Sequence, residues 1–290
     1  MKPAPFSYHA PSTLDECLRL LDRYGDEAVL LAGGQSLLPM LRFRIVQPAH
    51  VISIRGIGGE LPTIRKTDYG LAIGASVTYS AVQRSDDALA ICPDLADVID
   101  LVAHPAVRAR GTLCGNLCQA DPASEMPALT LAMGARFKLR SLAGERVVMA
   151  EDYFVGPYLT ARRSGEILSA VEFPQRPAGE SVVVKEVTRL RGGFPLSGVV
   201  VALTRGAGTN LRSVALACFG VHFKQLRIRD AEAALEGSGY TADGIAAATS
   251  AIDRAIEPQS DPFASAAYRR SATQTLFRRA IAEAYEKAAH

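Results

Sequence analysis

No apolar run in the 290 residues approaches the ~18 that a membrane-spanning helix requires. Neither sign of charge dominates: 32 Lys and Arg stand against 30 Asp and Glu, so no electrostatic feature points to a phosphate-backbone partner. Met1 to Pro11 holds three prolines and no apolar core, so a secretory signal is not expected and the cytoplasm is the expected compartment. The five cysteines, Cys17, Cys92, Cys114, Cys118 and Cys218, are odd in number and lie mostly in apolar or Gly-rich segments, which excludes a disulfide scaffold. Cys114 and Cys118 are four apart, no second pair follows, and the five histidines are scattered, so neither a zinc nor an iron–sulfur site is expected in this chain. Two nucleotide motifs are also missing. No G-x-G-x-x-G opens a helix, since Gly56-Ile57-Gly58 has Leu61 where the third glycine belongs, and there is no G-x4-G-K-[ST] loop.

What is present is an ordinary globular composition, 48% hydrophobic and 21% charged, in a chain long enough for two or three domains. Residues 12 to 55 read as alternating α/β. Ser12 or Thr13 caps a helix through Leu14, Cys17, Leu18 and Leu21; Ala28–Leu31 is an apolar strand; Leu37–Phe43 is a short helix; Val51–Ile54 is a second strand. Residues 56 to 176 read as mixed, with strands at Ile64 and Leu71–Gly74, a helix opening at Thr78, a longer helical stretch from Leu89 to Ala103, a Gly-rich loop from Gly111 to Pro127, a hairpin about Ala143-Gly144 and a strand Ile167–Phe173. Residues 174–181, PQRPAGES, form the clearest linker. Strand-like runs at Val182–Val187, Val199–Leu203 and Val214–Val221 precede two or three Ala-rich helices, which suggests a separate α+β unit from about 178 onward.

Two segments have the composition of ligand loops. In Leu31-Ala32-Gly33-Gly34-Gln35-Ser36-Leu37, two glycines leave the backbone open to close approach, and the amides together with the following helix start can bind an anion such as a diphosphate. An ordinary strand–helix turn has the same composition. The longer segment, Arg110 to Pro127, offers Gly111 and Gly115 for backbone approach, Thr112 and Asn116 as hydrogen-bonding groups, and Asp121 and Glu125 as acceptors for sugar hydroxyls or a ring N–H. Read without a ligand, Asp121-Pro122 begins a turn and Ser124 caps a helix.

These residues resemble the FAD-binding subunit of molybdenum hydroxylases, the xanthine dehydrogenase and aerobic carbon monoxide dehydrogenase type. Ala32-Gly33-Gly34-Gln35-Ser36 looks like that family's first diphosphate loop. Thr112-Leu113-Cys114-Gly115-Asn116 followed by Ala120-Asp121-Pro122-Ala123-Ser124-Glu125-Met126-Pro127 is similar to its T-x-G-G-N and A-D-P-A-x-D-x-P stretches. Phe6-Ser7-Tyr8-His9-Ala10-Pro11, Ala75, Gly192-Gly193-Phe194 and Tyr268-Arg269 extend the likeness along the chain.

The resemblance implies an α+β architecture: a two-part FAD-binding domain of the PCMH/vanillyl-alcohol-oxidase type at 1–55 and 56–176, then a C-terminal domain at 178–290 with a three-stranded antiparallel sheet and helices. It implies FAD in this chain, and partner subunits carrying molybdopterin (the large one) and two [2Fe–2S] clusters (the small one), as a dimer of heterotrimers. Electrons from the clusters would reach the flavin and leave to NAD, dioxygen or another acceptor. Leu30, Leu31, Ala32, Gly33, Gly34, Gln35, Ser36 and Leu37 would hold the diphosphate; Gly111, Thr112, Leu113, Cys114, Gly115 and Asn116 the second wall; Asp121 and Glu125 the ribityl or ribose hydroxyls. Val102 and Phe194 would pack on the flavin and Leu168 on the adenine, with no side chain acting as acid or base because the flavin supplies the redox chemistry.

Three departures mark this chain. Cys114 stands in place of the first Gly of G-G-N; if that position needs φ > 0, Cys costs on the order of 1 kcal/mol. Glu125 stands where Asp is commoner. Near the family's flavin-side lysine, either Lys185 or Glu186 aligns: the residue type favours Lys185 and the spacing to Phe194 favours Glu186. A stand-alone flavin oxidase or reductase on the same fold is the alternative, and a flavin-free assembly protein a third. Arg42/Arg44, Arg108/Arg110 and Arg189/Arg191 lie near the loops in sequence and suit a subunit interface.

Overall fold

The computed structural model describes residues 2–288. The first unit is a three-stranded parallel sheet, order β1-β3-β2, made of β1 (Ser7–His9), α1 (Leu14–Tyr24), β2 (Ala28–Leu31), α2 (Leu37–Arg42) and β3 (His50–Ser53). Parallel strands need crossovers, and α1 and α2 provide them. Thr13 caps α1 by accepting from the Glu16 amide at 3.2 Å, while the Glu16 carboxylate accepts from the Ser12 amide at 2.8 Å. Cys17, Leu18 and Leu21 form the buried stripe of that helix.

The second unit holds β4 (Ile64–Lys66), β5 (Gly70–Gly74), α3 (Tyr79–Gln83), α4 (Asp86–Ile91), α5 (Asp94–Leu101), α6 (Pro105–Arg108), α7 (Leu113–Gln119), α8 (Glu125–Ala132), β6 (Arg136–Ser141), β7 (Gly144–Met149), α9 (Ala150–Tyr153), β8 (Phe154–Gly156), β9 (Leu159–Thr160) and β10 (Ile167–Pro174). Its five-stranded antiparallel sheet runs β4-β5-β10-β6-β7, and β8 pairs with β9. Two sequence expectations change here. The stretch Leu89–Ala103 is two helices, α4 and α5, because Pro93 after Cys92 interrupts the turn. The Gly-rich stretch from Gly111 is largely helical: Thr112 caps α7 by accepting from the Gly115 amide at 3.0 Å, and Leu113, Cys114 and Leu117 anchor it in the core.

The third unit is β11 (Ser181–Thr188), β12 (Pro195–Arg205), β13 (Leu211–Phe219), β14 (Leu226–Arg227), α10 (Arg229–Ser238), α11 (Ala242–Ala255) and α12 (Ala266–Lys287). The antiparallel sheet has four strands rather than three; β14 is a two-residue addition on the edge of β13, too short to leave a periodic signal. Both faces of this sheet are covered. Val182, Val200, Ala202, Ala217 and Phe219 join the core of the first two units, whereas Val183, Val199, Val201, Leu203, Leu216 and Cys218 join a second core with α10, α11 and α12. Between the units lies α8, whose eight residues are all buried. The 174–181 linker is pinned as well: the Gln175 amide donates to the Tyr69 carbonyl at 2.6 Å, and Arg176 pairs with Asp94 at 3.0 Å and with Glu180.

On the inner face of the third sheet, Gly198 pairs with Phe219 across β12 and β13 and with Glu186 across β11 and β12. A Cβ on Gly198 would lie 2.0 Å from the Phe219 ring. Gly198→Ala is expected to destabilise the chain by about 1–3 kcal/mol through overpacking, and Phe219→Leu in the same chain to recover part of the loss. Thermal unfolding followed by circular dichroism checks both; an unchanged melting temperature for Gly198→Ala would show that the ring yields.

Candidate FAD site

The two loops singled out by composition meet through their backbones. A Cβ on Gly33 would stand 2.3 Å from the Arg110 carbonyl oxygen and 2.7 Å from Gly111 Cα, so only glycine allows this approach. Gly34, at φ +75°, turns the chain in the left-handed region. Among the described residues the amides of Gly33, Gly34, Gln35 and Ser36 donate to no backbone carbonyl, so a short run of N–H groups is left for an anionic acceptor. The Gln35 side chain donates back to the Gly33 carbonyl at 3.2 Å, which stiffens the turn. Leu30 and Leu31 are half-buried in β2, Ala32 and Leu37 flank the turn half-buried, and Ser36 is exposed.

The second loop is tied to the start of α3. The Tyr79 amide donates to the Gly111 carbonyl at 3.0 Å and the Leu113 amide to the Val77 carbonyl at 3.3 Å. Thr112 is spent on capping α7, and the side chains of Leu113 and Cys114 point into the core, so this wall offers mainly backbone. Cys114 does not require a positive φ: it lies inside α7, and the non-glycine residues with positive φ are Arg44, Ala103, Ala120 and Tyr158. Its thiol donates to the Ile73 carbonyl at 3.5 Å, and burial pushes its pKa far above the ordinary thiol range.

Beyond α7 the carboxylates face a dry environment. Asp121 accepts from the Ala123 amide at 2.9 Å, and burial raises its pKa. Glu125, the first residue of α8, is 5% exposed and is pushed up to about 7, with burial the main cause. Asn116 accepts from the Ser124 hydroxyl at 2.9 Å. Val102 is buried at the end of α5, and its carbonyl and that of Ala103 accept from Arg108 at 3.2 and 3.1 Å. A Cβ on Gly192 would lie 2.6 Å from the Ala103 carbonyl oxygen, so the turn carrying Phe194 abuts the Val102 turn, with the Phe194 ring 79% exposed.

Two candidates are placed apart. Leu168 is a core residue of β10 opposite Leu139. Lys185 sits on the α12 side of β11 and pairs with Glu283, while Glu186, its neighbour, takes the opposite face as strand alternation demands. Glu186 is the residue of the two that looks toward α8, where burial first and then Glu125 push its pKa up to about 8. One arginine of each pair is engaged within the chain: Arg108 holds the Val102 turn, Arg44 donates to the Lys2 carbonyl, and Arg189 lies over the Phe263 ring.

Three contributors were missed in the sequence. Tyr79 is 2% exposed and its hydroxyl has no partner among the described residues. Gln225, from the turn before β14, donates to the Asp121 carbonyl, and next to it the Gly220 amide donates to the Pro122 carbonyl at 2.8 Å. Tyr158 donates its amide to the Ala120 carbonyl at 3.1 Å, and burial raises the pKa of its phenol. The left-handed φ of Tyr158 leaves no mark in sequence, and Gln225 lies more than 100 residues from the loop it holds.

The residues present fit FAD: free amides for a diphosphate, glycines where backbone must approach, and buried acceptors for hydroxyls. When bound, the flavin supplies electron acceptance and release. No group of three or more His, Cys, Asp or Glu that could hold a metal occurs among the described residues, and none of their helices is long and apolar enough to cross a membrane.

Comparison with known proteins places these loops in context. Residues 4–176 match the family described as "FAD binding domain in molybdopterin dehydrogenase", and residues 183–284 the "CO dehydrogenase flavoprotein C-terminal domain". The chain is 32% identical over 288 residues to the 6-hydroxypseudooxynicotine dehydrogenase complex subunit alpha of Paenarthrobacter nicotinovorans, covering 99% of this chain and 97% of that one. It is likewise 32% identical to the carbon monoxide dehydrogenase medium chain of Afipia carboxidovorans, covering 99% of each. Among solved structures, a chain of carbon monoxide dehydrogenase from Hydrogenophaga pseudoflava superposes with a TM-score of 0.96 at 34% identity over all of both chains. A chain of quinoline 2-oxidoreductase from Pseudomonas putida 86 gives 0.93 at 33% over all of both chains.

Two variants test this geometry. Because Cys114 is a buried helical residue, replacing it with the family's glycine is expected to destabilise the chain by about 1–2 kcal/mol, from helix propensity and lost burial; a melting temperature at or above that of the parent would restore the strained-loop reading. Gln225→Ala is expected to weaken FAD binding roughly fivefold, about one hydrogen bond's worth, in a fluorescence titration, with the fold retained.

Proposed function

The chain belongs to the FAD-binding medium subunits of the molybdenum hydroxylases, oxidoreductases of the carbon monoxide dehydrogenase and xanthine dehydrogenase type, and on that premise we propose that it is the electron-exit subunit of such a complex. Its flavin takes electrons from the [2Fe–2S] clusters of a small partner subunit and passes them to NAD, dioxygen or another acceptor. The substrate is oxidised on a large molybdopterin subunit, and the three chains work in the cytoplasm as a dimer of heterotrimers. Residues 1–55 and 56–176 share the flavin, and 178–290 close over it. The observation that carries the reading is the contact of Gly33 with Arg110 and Gly111, which joins two ligand loops into one backbone wall with free amides.

Several relatives are named as parts of complexes, among them the nicotine 6-hydroxylase medium subunit of Paenarthrobacter nicotinovorans. That supports a subunit over a stand-alone flavin oxidase. The chain's own residues then have positioning tasks. The amides of 33–36 neutralise the diphosphate, Asp121 and Glu125 orient the hydroxylated linker, and the Val102 and Phe194 turns flank the ring.

Co-expression with its genomic neighbours followed by separation of the subunits is expected to leave the flavin absorption with this chain and the iron–sulfur signal with a partner. Gly33→Ala, whose Cβ would overlap the second loop, is expected to give a subunit that lacks the flavin bands. Hydroxylation of substrate by the isolated chain, or a parent chain that takes up no flavin, would overturn the proposal.

A further inference from the structure

Arg269, in the first turn of α12, is 7% exposed although it carries a permanent charge. A guanidinium leaves water at low cost only where carbonyls and a carboxylate take the place of that water. Here three segments supply them. Arg269 donates through Nη1 to the Leu196 carbonyl at the start of β12 and, at 3.2 Å, to the Gly220 carbonyl just past β13; through Nη2 it donates to the Asp261 carboxylate. Asp261 is itself fixed, because its Oδ1 accepts from the amides of Phe263 and Ala264 at 2.8 and 2.9 Å while Oδ2 faces the guanidinium. One turn further along α12, the Thr273 and Ser197 hydroxyls bond each other at 2.8 Å and hold the helix to β12.

Two of those three segments lead to the flavin loops. Leu196 follows Phe194 by two residues, so the bond to its carbonyl fixes the base of the turn that abuts Val102. Gly220 is held from both ends: Arg269 donates to its carbonyl, and its amide donates to the Pro122 carbonyl at 2.8 Å. It does so in the left-handed region, φ +73°, where a Cβ would lie 3.2 Å from the Leu196 carbonyl oxygen, so glycine is required. At the far end of the same turn Gln225 donates to the Asp121 carbonyl, and Lys224 beside it donates to the Phe154 carbonyl at 3.1 Å. The turn 220–225 grips the carbonyls of Asp121 and Pro122 directly, and Arg269 grips the turn.

We propose that Arg269 is a further positioning residue of the flavin site, acting through Gly220 on the Asp121 loop and through Leu196 on the Phe194 turn. The inference rests on the reading of these two segments as FAD contacts. A planar guanidinium suits the task, because its donors point along fixed directions to separate acceptors; the ammonium of a lysine, on a flexible stem, does not reproduce them. Asp261 sets the direction of that fork. The Asp121 carboxylate, whose local constraint is the Ala123 amide at 2.9 Å, is thereby aimed by a side chain from the first turn of the last helix.

Amide hydrogen exchange of the full, flavin-free chain reads the clamp, and a fluorescence titration with FAD reads its effect. In Arg269→Lys the Gly220 and Ala123 amides are expected to exchange roughly tenfold faster and the FAD dissociation constant to rise about tenfold, the loss of one charged hydrogen bond. At saturating FAD the visible circular dichroism of the bound flavin is expected to change with it. In Asp261→Asn the Oδ1 acceptor of the loop amides is kept and only the guanidinium loses its carboxylate, so the same changes are expected at smaller size. Arg270→Gln breaks ties from the same helix turn to Asp253 and Ile256, and is expected to lower the melting temperature with all three readouts at parent values. Gly220 exchange at the parent rate in Arg269→Lys, or in Asp261→Asn should the first variant not fold, would overturn the proposal; so would an equal loss of FAD affinity in Arg270→Gln. If the parent chain takes up no FAD while Gly220 exchange responds to Arg269→Lys, the flavin reading fails and the clamp on the loop stands.

Discussion

The structure turns on α8, a helix with no face left for water. Most helices of this length bury one stripe and expose the rest. Here Glu125 to Ala132 are all buried, with the FAD-binding units on one side and the inner face of the third sheet on the other. A helix in that position forces two results. It makes the cores of the units continuous through Val200, Ala202, Ala217 and Phe219, and it draws its own first residue, a glutamate, into a medium that disfavours its charge. The chemistry of the site and the cohesion of the chain share one cause.

The ligand wall is built on the opposite principle. Where α8 excludes space with side chains, the loops at Gly33 and Gly111 omit them, so that backbone meets backbone and the amides stay available. Side chains that look functional in that wall are spent on structure: Thr112 caps α7, Cys114 packs beneath it, and Arg108 gathers the carbonyls of the Val102 turn. Other polar side chains reach the loops from elsewhere, Tyr79 from α3 and Gln225 from the third unit.

Much of the architecture was legible because local rules decided it. Thr13 before an amphipathic stripe, the hairpin about Ala143-Gly144 and the apolar runs of β11 to β13 each carry their own signal. The stretch after Gly111 was misread as loop, since glycine at 111 and 115 speaks for flexibility while the cap at Thr112 and the anchors Leu113 and Leu117 outweigh it through packing. The choice between Lys185 and Glu186 had no local answer. Val182 to Val184 are apolar on both faces, so alternation could not assign sides until α12 and α8 were in place. Tyr79 lies in the helix start read at Thr78, and the burial of its unpartnered hydroxyl comes from tertiary packing that leaves no local signal.

The pinned 174–181 segment has a consequence for modularity. Two family descriptions divide this chain at that segment, which invites its treatment as a joint between exchangeable parts. Yet Gln175 and Arg176 are fastened to Tyr69 and Asp94, and the buried helix α8 packs against both sides. Cutting there would not release two proteins; it would strand one wall of α8 in water and leave the sheet with a bare apolar face. The two units on either side of the segment hold together as one piece, so redesign has to work on the surface around them rather than by exchanging either half.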